Sequence, residues 1–358
     1  VSDNSGGNKK LAKSNFLKEG DIAVVDQGKN LIAGFYNDTS LAVKTQPPYV
    51  VFGDHTRAFK YVDFPFVMGA DGTKVLQPKK ENCETKYLYY FFLSINVPNT
   101  GYNRHFKYLK ELKIPLPPLD QQKKIAAILD AADAYRQKTK TLIEKYDELT
   151  QSLFINMFGD PVRNPKGWKV VKFSDVGKLD RGKSKHRPRN APELLGGIHP
   201  LIQTGNLANC GVYLKEYTST YSDIGLAQSK KWPSGTLCIT IAANIAKTGI
   251  LSFDACFPDS VVGFIPNQKT NNLYTLFWLS FLQKILEETA PESAQKNINL
   301  GILRALDFPL PKIELQSQFA ERVQAIEAQK AQAQASLAGA EDLFNSLLQR
   351  AFKGELTN

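Results

Sequence analysis

The sequence has few cysteines and no long apolar run, and these two shortages exclude several classes of protein. It contains four cysteines in 358 residues, and no two of them have the Cys-x-x-Cys spacing of a zinc or redox site. This pattern predicts reduced cysteines in a cytoplasmic protein. Apolar stretches such as Tyr87–Leu93 are much shorter than the roughly 18 residues of a membrane span. The first ten residues lack the apolar core of a signal peptide.

Motifs of catalysis and cofactor binding are also missing. We find no Walker loop, dinucleotide-binding glycine fingerprint, His-Glu zinc motif or nucleophile elbow. The Asn/Asp-Pro-Pro-aromatic tetrad of amino-methylating DNA enzymes is absent as well. The four histidines are scattered along the chain, so no metal cluster is expected. The sequence therefore predicts a protein without a catalytic site, metal or cofactor of its own.

Positive charge is what the sequence has in excess. The formal net charge is +10 at neutral pH. Charge of this sign concentrates polyanions at a protein surface, and nucleic acid is the first candidate partner. The alternative at this point is a mildly basic protein without a polyanion partner.

An internal repeat is the strongest signal in the chain. The segment Leu112–Gln122, with its Pro-Leu-Pro motif, returns as Leu306–Gln316, and the spacing from Pro115 to Pro309 is 194 residues. Other pairs of similar segments are Leu17–Val24 with Trp232–Ile239, Leu31–Tyr36 with Ala246–Leu251, and Tyr87–Ser94 with Leu273–Ser280. Each half therefore has a β-rich globular unit, then the proline motif, then a helix.

The repeat predicts an α+β fold with two β-rich globular units joined by two long helices. We expect a first globular domain at 1–108, a first helical spacer at 109–160, a second globular domain at 161–302 and a second spacer at 303–358. The second globular unit has a long lead-in from Trp168 to Lys231, whereas 19 residues precede Gly20 in the first. We therefore expect the first unit to lack its N-terminal part.

After the proline motif, both spacers have the heptad rhythm of a coiled coil and contain no further proline. The expected seam residues of the first are Ile125, Ile128, Ala132, Tyr135, Leu142, Tyr146, Leu149 and Leu153, with a break at Thr139. Those of the second are Phe319, Val323, Ile326, Ala333, Leu337, Ala340, Leu343 and Leu347. Similar seams on one chain predict that the two helices pack on each other, although ordinary core helices of a bundle are the alternative.

Candidate DNA-binding residues are concentrated in the second globular unit. Its basic loop contributes Arg181, Lys183, Lys185, His186, Arg187 and Arg189, which suit phosphate contacts. Gln203, Thr204, Asn206 and Asn244 lie in expected loops and have the chemistry to read base edges. The weaker counterparts in the first unit are Lys29, Asn30, Lys44, Arg57 and Lys60. Any one of these residues alone is more simply explained as a solvated surface group.

Polar residues also precede the proline motif in both halves. Asn103 and His105 correspond to Asn297 and Asn299. We expect them to cap or brace the junction between globule and helix rather than to contact DNA.

Taken together, these features resemble the specificity subunit of type I restriction–modification enzymes. The resemblance rests on the repeated Pro-Leu-Pro motif, the long helices, the opening Gly167–Val171 and the closing Phe344–Leu356, which contains Phe-Lys-Gly-Glu-Leu. It implies two target recognition domains that each read half of a bipartite double-stranded DNA site. It also implies that the helices form an antiparallel coiled coil that sets the unread gap.

The resemblance further implies partner subunits. Two methyltransferase subunits would dock on the chain, bind S-adenosylmethionine and methylate adenine N6 after base flipping. Restriction and translocase subunits could join them. The alternatives are a specificity module of a solitary methyltransferase or another defence system, a coiled-coil scaffold that ignores DNA, and a self-sufficient enzyme.

Overall fold

The computed structural model covers the chain in two compact units. It describes residues 1–79, 81–101, 103–242, 245–289 and 298–356, without the side chains of Lys284, Glu288 and Thr289. One unit combines residues 1–141 with 333–358, and the other contains residues 142–332. Each unit therefore contains a globular part and portions of both long helices.

The described part of the first unit contains two four-stranded sheets. Its strands are β1 (Ser2–Asp3), β2 (Lys10–Leu11), β3 (Ile22–Val25), β4 (Gly34–Tyr36), β5 (Tyr49–Gly53), β6 (Phe59–Val62), β7 (Phe66–Gly69) and β8 (Thr73–Gln77). The strand orders are β1-β8-β5-β6 and β2-β7-β3-β4. Three helices follow, namely α1 (Thr85–Ser94), α2 (Phe106–Lys110) and the long α3 (Leu119–Phe158), which continues into the second unit.

Strand β5 is the centre of the first unit because it is buried on both faces. Successive side chains of a strand point to opposite faces. Tyr49 and Val51 accordingly pack with Met68 in the core between the two sheets. Val50 and Phe52 pack with Leu88 of α1 on the other side. The continuous apolar run of β5 thus places one sheet between the other sheet and α1.

The second unit has a longer series of strands. They are β9 (Lys169–Lys172), β10 (Gly177–Arg181), β11 (Leu195–Leu201), β12 (Tyr213–Leu214), β13 (Ser219–Tyr221), β14 (Lys231–Trp232), β15 (Leu237–Thr240), β16 (Thr248–Leu251), β17 (Ala255–Cys256), β18 (Val261–Pro266) and β19 (Asp307–Leu310). Its helices are α4 (Thr204–Ala208), α5 (Asp223–Ala227), α6 (Asn272–Thr289), α7 (Leu300–Ala305) and the long α8 (Ile313–Lys353), which ends in the first unit. The sheet orders are β10-β18-β15-β16-β12, β13-β11-β17-β14 and β19-β9.

The second proline motif is part of a strand that closes the second unit. Strand β19 pairs antiparallel with β9, with Phe308 opposite Val171. Phe308 stacks on Phe173 at 5.8 Å between ring centroids and meets the edge of Trp278 at 4.7 Å. Aromatic pairs at these distances add to the area that they bury. The start of this unit and its proline motif are thus fixed by one aromatic core.

The repeat predicted from the sequence is confirmed in the strands. The segments that align in the sequence form the antiparallel hairpins β3–β4 and β15–β16. The helices α1 and α6 also occupy corresponding places, each between the last strands of its globule and its proline motif. The sheets nevertheless differ in strand number and in pairing, since β3 pairs parallel with β7 whereas β15 pairs antiparallel with β18.

The two long helices pack antiparallel within each unit. In the first unit, Ile125 packs in one cluster with Leu348, and Lys140 pairs with Glu341 at 3.0 Å. In the second unit, Asp147 pairs with Lys330, and Phe154 lies 5.6 Å from Phe319 between ring centroids. Residue numbers therefore rise along α3 as they fall along α8, as an antiparallel coiled coil requires.

The predicted seam of α3 is confirmed at Ile125, Ala132, Tyr146 and Leu153, which are buried or half-buried, and is wrong at the other four positions. The predicted seam residues Ile128, Tyr135, Leu142 and Leu149 are between 38% and 53% exposed. In place of those four, the helix buries or half-buries residues one position later in each heptad, namely Leu129, Arg136, Ile143 and Thr150. On α8 the seam is as predicted except at Leu343, which is exposed where Phe344 is buried.

Polar residues can occupy the α3 seam because each has a partner within its own unit. Thr139 Oγ1 donates to the carbonyl oxygen of Tyr135, and Thr150 Oγ1 donates to that of Tyr146, both at 2.9 Å. The Arg136 guanidinium lies 4.3 Å from the centre of the Phe344 ring. Buried polar groups with such partners are tolerated, whereas hydrophobicity alone favours the other face.

The predicted bracing residues lie at the starts of α2 and α7. His105 is fully buried, and its Nδ1 contacts the carbonyl oxygen of Asp54 at 2.8 Å. The Asn299 side chain accepts a hydrogen bond from the Ile302 amide at 2.9 Å and caps α7. Asn103 donates to the carbonyl oxygen of Thr100. The bracing role is confirmed for His105 and Asn299, whereas the Asn103 bond lies within its own loop and leaves that prediction open. Asn297 lies outside the described residues.

Candidate nucleic-acid interface

The basic loop of the second unit begins at a glycine that has no room for a side chain. Gly182 follows β10, and a Cβ atom there would lie 2.2 Å from the carbonyl oxygen of Phe257. The Gly182 amide donates to the Val261 carbonyl at 2.9 Å, and the Lys183 amide donates to the Phe257 carbonyl at 3.1 Å. The loop backbone is therefore fixed against the segment that precedes β18.

Two residues that follow α5 hold the middle of the loop. The Gln228 side-chain oxygen accepts hydrogen bonds from the amides of Lys185 and His186, at 2.6 and 3.0 Å. The Ser229 hydroxyl donates to the Lys183 carbonyl at 2.8 Å. With the backbone held in this way, less conformational entropy is lost when the charged side chains bind a ligand. Sequence reasoning did not identify Gln228 or Ser229.

All three arginines of the loop contact one acidic residue, Asp259. Arg189 Nη2 lies 2.6 Å from Asp259 Oδ1, and Arg187 Nη2 lies 3.9 Å from Asp259 Oδ2. Arg181 Nε donates to the Asp259 carbonyl at 2.9 Å. One carboxylate neutralises only part of the charge of three arginines, so the surface keeps its attraction for polyanions. The other predicted cations, Lys183, Lys185 and His186, are exposed.

A cleft of about 310 Å³ joins this loop to two of the predicted base-reading residues. Its lining consists of Ser184, Arg189, Asn190, Leu195, Leu201, Gln203, Thr204, Tyr221, Pro258 and Ser260. Gln203 and Thr204 therefore lie beside Arg189, which the sequence separates from them by more than ten positions. Amide and hydroxyl groups next to a cation have the chemistry that base edges and phosphates require.

Of the two asparagines predicted to read bases, the structure describes Asn206. Asn206 Oδ1 accepts a hydrogen bond from the Gln203 amide at 2.9 Å, and its Nδ2 lies 3.4 Å from Thr218 Oγ1. This side chain therefore organises the start of α4, and its part in base reading stays a prediction. Asn244 lies outside the described residues.

Ser184 lines this cleft and allows a stability measurement that needs no DNA. Its Oγ is buried, and no described residue offers it a hydrogen bond. We expect Ser184→Ala to raise the free energy of unfolding by about 1 kcal/mol, because a buried hydroxyl without a partner carries a desolvation cost. Ser222→Ala is the matched control, since its Oγ donates to the Glu193 carbonyl at 2.6 Å. Urea denaturation should show opposite signs for the two variants, and a loss of stability in both would contradict this assignment.

The predicted counterparts in the first unit have different surroundings. Lys29 and Asn30 are exposed in the β3–β4 loop. The neighbouring Gln27 accepts a hydrogen bond from the His55 amide at 3.2 Å, which joins this loop to the β5–β6 turn. Lys44 is exposed, and its amide donates to Asn8 Oδ1 at 3.1 Å. These residues stay candidates for phosphate contact.

Two of the predicted cations in the first unit donate hydrogen bonds to backbone carbonyl groups of the protein. Lys60 is 5% exposed, and its Nζ donates to the Asp26 carbonyl at 2.8 Å and lies 3.6 Å from Asp26 Oδ1. Burial lowers the pKa of Lys60, and the Asp26 carboxylate opposes that shift. Lys60 is therefore an internal ion-pair residue, which corrects its prediction as a phosphate contact. Arg57 is half-buried and donates to the Val97 carbonyl at 3.1 Å.

The described residues contain no cluster of His, Cys, Asp and Glu side chains that could hold a metal ion. No helix in the described part of the chain is long and apolar enough to cross a membrane.

Comparison with known proteins places this architecture in a family. The model of the type I restriction modification DNA specificity domain matches residues 4–149 and 165–337. The chain is 25% identical over 289 residues to the putative type I restriction enzyme MjaX specificity subunit of Methanocaldococcus jannaschii, covering 73% of this chain and 66% of the relative. It is also 25% identical over 282 residues to the type I restriction enzyme EcoBI specificity subunit of Escherichia coli, covering 70% and 59%. The chain thus matches less than two thirds of the length of these relatives.

Solved structures show the same fold. The crystal structure of a type I restriction-modification system S subunit from M. genitalium aligns with a TM-score of 0.61 at 15% identity, over 96% of this chain and 92% of that one. A chain from a study of complex assembly and conformational transition of the type I R-M system aligns with a TM-score of 0.56 at 18% identity, over 94% and 92%. Two matched segments cover most of the sequence, one in each half of the repeat, and the chain belongs to the type I restriction modification DNA specificity domain family.

Proposed function

We propose that the chain is the DNA specificity subunit of a type I restriction–modification system. The observation that carries this proposal is the internal duplication of a globule, a proline motif and a long helix, with two matches to the family model. A duplicated reader suits a target with two half-sites, and a pair of rigid helices suits a constant distance between them. The chain would bind DNA without catalysing a reaction, and it would act in the cytoplasm.

The basic loop of the second unit supports contact with double-stranded DNA. Its cations are exposed, and its backbone is held by Gln228, Ser229 and Gly182. Exposed cations supply phosphate contacts, and the amides and hydroxyls of the adjoining cleft supply base contacts. Phosphate contacts fix the position of the domain on the duplex, and base contacts provide the sequence information.

The exposed apolar residues of α3 support protein partners. Leu142 and Leu149 of the second unit are seven positions apart, as are Ile128 and Tyr135 of the first. Side chains at this spacing share one face of a helix, and each pair forms an exposed apolar stripe. An apolar face of this kind marks an interaction surface in a water-soluble protein. We propose that methyltransferase subunits dock on these stripes. S-adenosylmethionine and the flipped adenine would then be bound by those subunits, and restriction subunits would join the complex.

Neutralising the basic loop tests the proposed function. We expect the triple variant Arg181→Gln, Arg187→Gln, Arg189→Gln to bind target DNA about a hundredfold more weakly at moderate salt, because it loses charge-assisted phosphate contacts. The slope of log affinity against log salt should fall by about 2.7, since each phosphate contact contributes about 0.9. The measurement is a fluorescence-anisotropy titration of the full chain in complex with its methyltransferase subunit.

The control carries the same charge change in the same unit. Arg163, Lys169 and Lys312 are exposed cations outside the loop. Their triple glutamine variant should change the affinity less than threefold, which is about 0.6 kcal/mol. Equal losses in the two triple variants would show a general charge effect and contradict a DNA-binding role for the loop. A wild-type complex that ignores DNA would favour the scaffold alternative.

A further inference from the structure

The first turn of each long helix contains a glutamine that is completely buried. Gln122 of α3 and Gln316 of α8 are both 0% exposed and are equivalent in the 194-residue repeat. The Gln122 Nε2 group donates to the Pro117 carbonyl, and that of Gln316 donates to the Pro311 carbonyl, at 2.8 and 2.9 Å. In both copies, one side-chain amide therefore binds the proline motif that precedes its helix.

The same amides also reach back to the globular parts. Gln122 Nε2 donates to the Asn82 carbonyl at 2.8 Å, and its Oε1 accepts from the Glu84 amide at 2.9 Å. In the second unit, Gln316 Nε2 donates to the Lys269 carbonyl at 3.2 Å, and its Oε1 accepts from the Asn271 amide at 3.0 Å. Each glutamine thus joins the start of the long helix to the residues that begin α1 or α6.

A tyrosine completes the link from the other side. Tyr87 of α1 donates its hydroxyl to the Pro115 carbonyl at 2.9 Å. Tyr274 of α6 donates to the Pro309 carbonyl at 2.7 Å. Pro115 and Pro309 are the equivalent residues of the repeat. The whole arrangement of amide, tyrosine and proline carbonyls therefore occurs twice, although the loops of the two globules differ.

The two glutamines satisfy backbone groups that an apolar side chain of the same size would leave without these partners, among them the Glu84 and Asn271 amides. A fully bonded amide also fixes distance and rotation together, because its donors and acceptor point in set directions. Bonds from one amide to two different backbone segments hold those segments in a single relative orientation.

We propose that Gln122 and Gln316 are positioning residues that fix the direction in which each recognition domain leaves its helix, and that they thereby restrict the complex to one gap length between the half-sites. This inference rests on the proposed function. The glutamines contact no DNA; they act through the orientation of the domain that does.

The test measures which gaps the complex accepts. Full chains carrying Gln122→Met or Gln316→Met, in complex with the methyltransferase subunit, are given a pool of duplexes in which the two half-sites are separated by gaps of different length. We expect modification of duplexes whose gap is one base pair too long or too short to rise about fivefold relative to the preferred gap, which corresponds to about 1 kcal/mol. The bases required in each half-site should not change.

Three further variants keep the test decisive. Gln318→Met places the same substitution on an exposed residue of α8 and should leave the gap preference unchanged. Tyr87→Phe and Tyr274→Phe each remove one hydroxyl without a change in charge or shape, and they should relax the gap in the same direction if the methionine variants fail to fold. Folded variants that keep the wild-type gap preference within twofold would overturn the proposal. A wild-type complex without any gap preference would instead refute the proposed function.

Discussion

Insertion of one heptad into each long helix will lengthen the unread gap of the DNA target by about three base pairs. The insertions are placed between residues 141 and 142 in α3 and between residues 332 and 333 in α8. At these positions each helix passes from one unit to the other. Seven helical residues add about 10.5 Å, and one base pair of DNA occupies about 3.4 Å. A whole heptad in both helices keeps the seam in register. Mapping of methylated adenines across a genome should show the old half-sites at the new spacing.

The control for this experiment separates helix length from helix damage. A four-residue insertion into α3 alone shifts its seam relative to α8 and should abolish modification, because the two apolar faces no longer meet. The expectation would be contradicted if the paired insertion left the gap unchanged or altered the bases of either half-site. It would then follow that the helices do not set the spacing.

The repeat and the helices could be predicted from the sequence because local patterns specify them. The proline motif precedes each helix, and the helices contain no proline, so α3 and α8 begin close to the predicted positions. Hydrophobicity predicted only half of the α3 seam, namely Ile125, Ala132, Tyr146 and Leu153. Thr139 and Thr150 are buried because their hydroxyls bind carbonyl oxygens one turn earlier, whereas Leu142 and Leu149 are left in solvent.

Part of the candidate site could likewise not be predicted from the sequence. The cations of the 181–189 loop are visible in the sequence as a charge cluster. Asp259, which gathers the arginines, follows them by about 70 positions, and nothing in the sequence connects the two. Gln228 likewise holds the loop from a distant segment. Lys60 was misassigned for the same reason, because its partner Asp26 lies on another part of the fold. Contacts between distant segments decide which charged residues remain available for a ligand.

The exposed apolar stripe of α3 in the second unit can be tested by placing negative charges on it. Leu142→Glu together with Leu149→Glu should prevent assembly with the methyltransferase subunit, with a loss in affinity of at least about a hundredfold. The two leucines are 46% and 50% exposed, so burying the remaining surface would contribute about 1 kcal/mol or more for each. A carboxylate at the same place must in addition be desolvated. Size-exclusion chromatography of the co-expressed subunits measures the assembly.

The fold should survive this substitution, and that is what makes the experiment informative. Glutamate is a good helix former, and both positions lie outside the seam, so the circular dichroism of α3 and α8 should not change. Leu343→Glu is the matched control, because this leucine is 53% exposed on the other helix and outside the stripe. Assembly of the double variant at wild-type affinity would remove the stripe as the docking surface. Equal loss in the control would show that any added negative charge on the helices interferes, so the position of Leu142 and Leu149 would not be what matters.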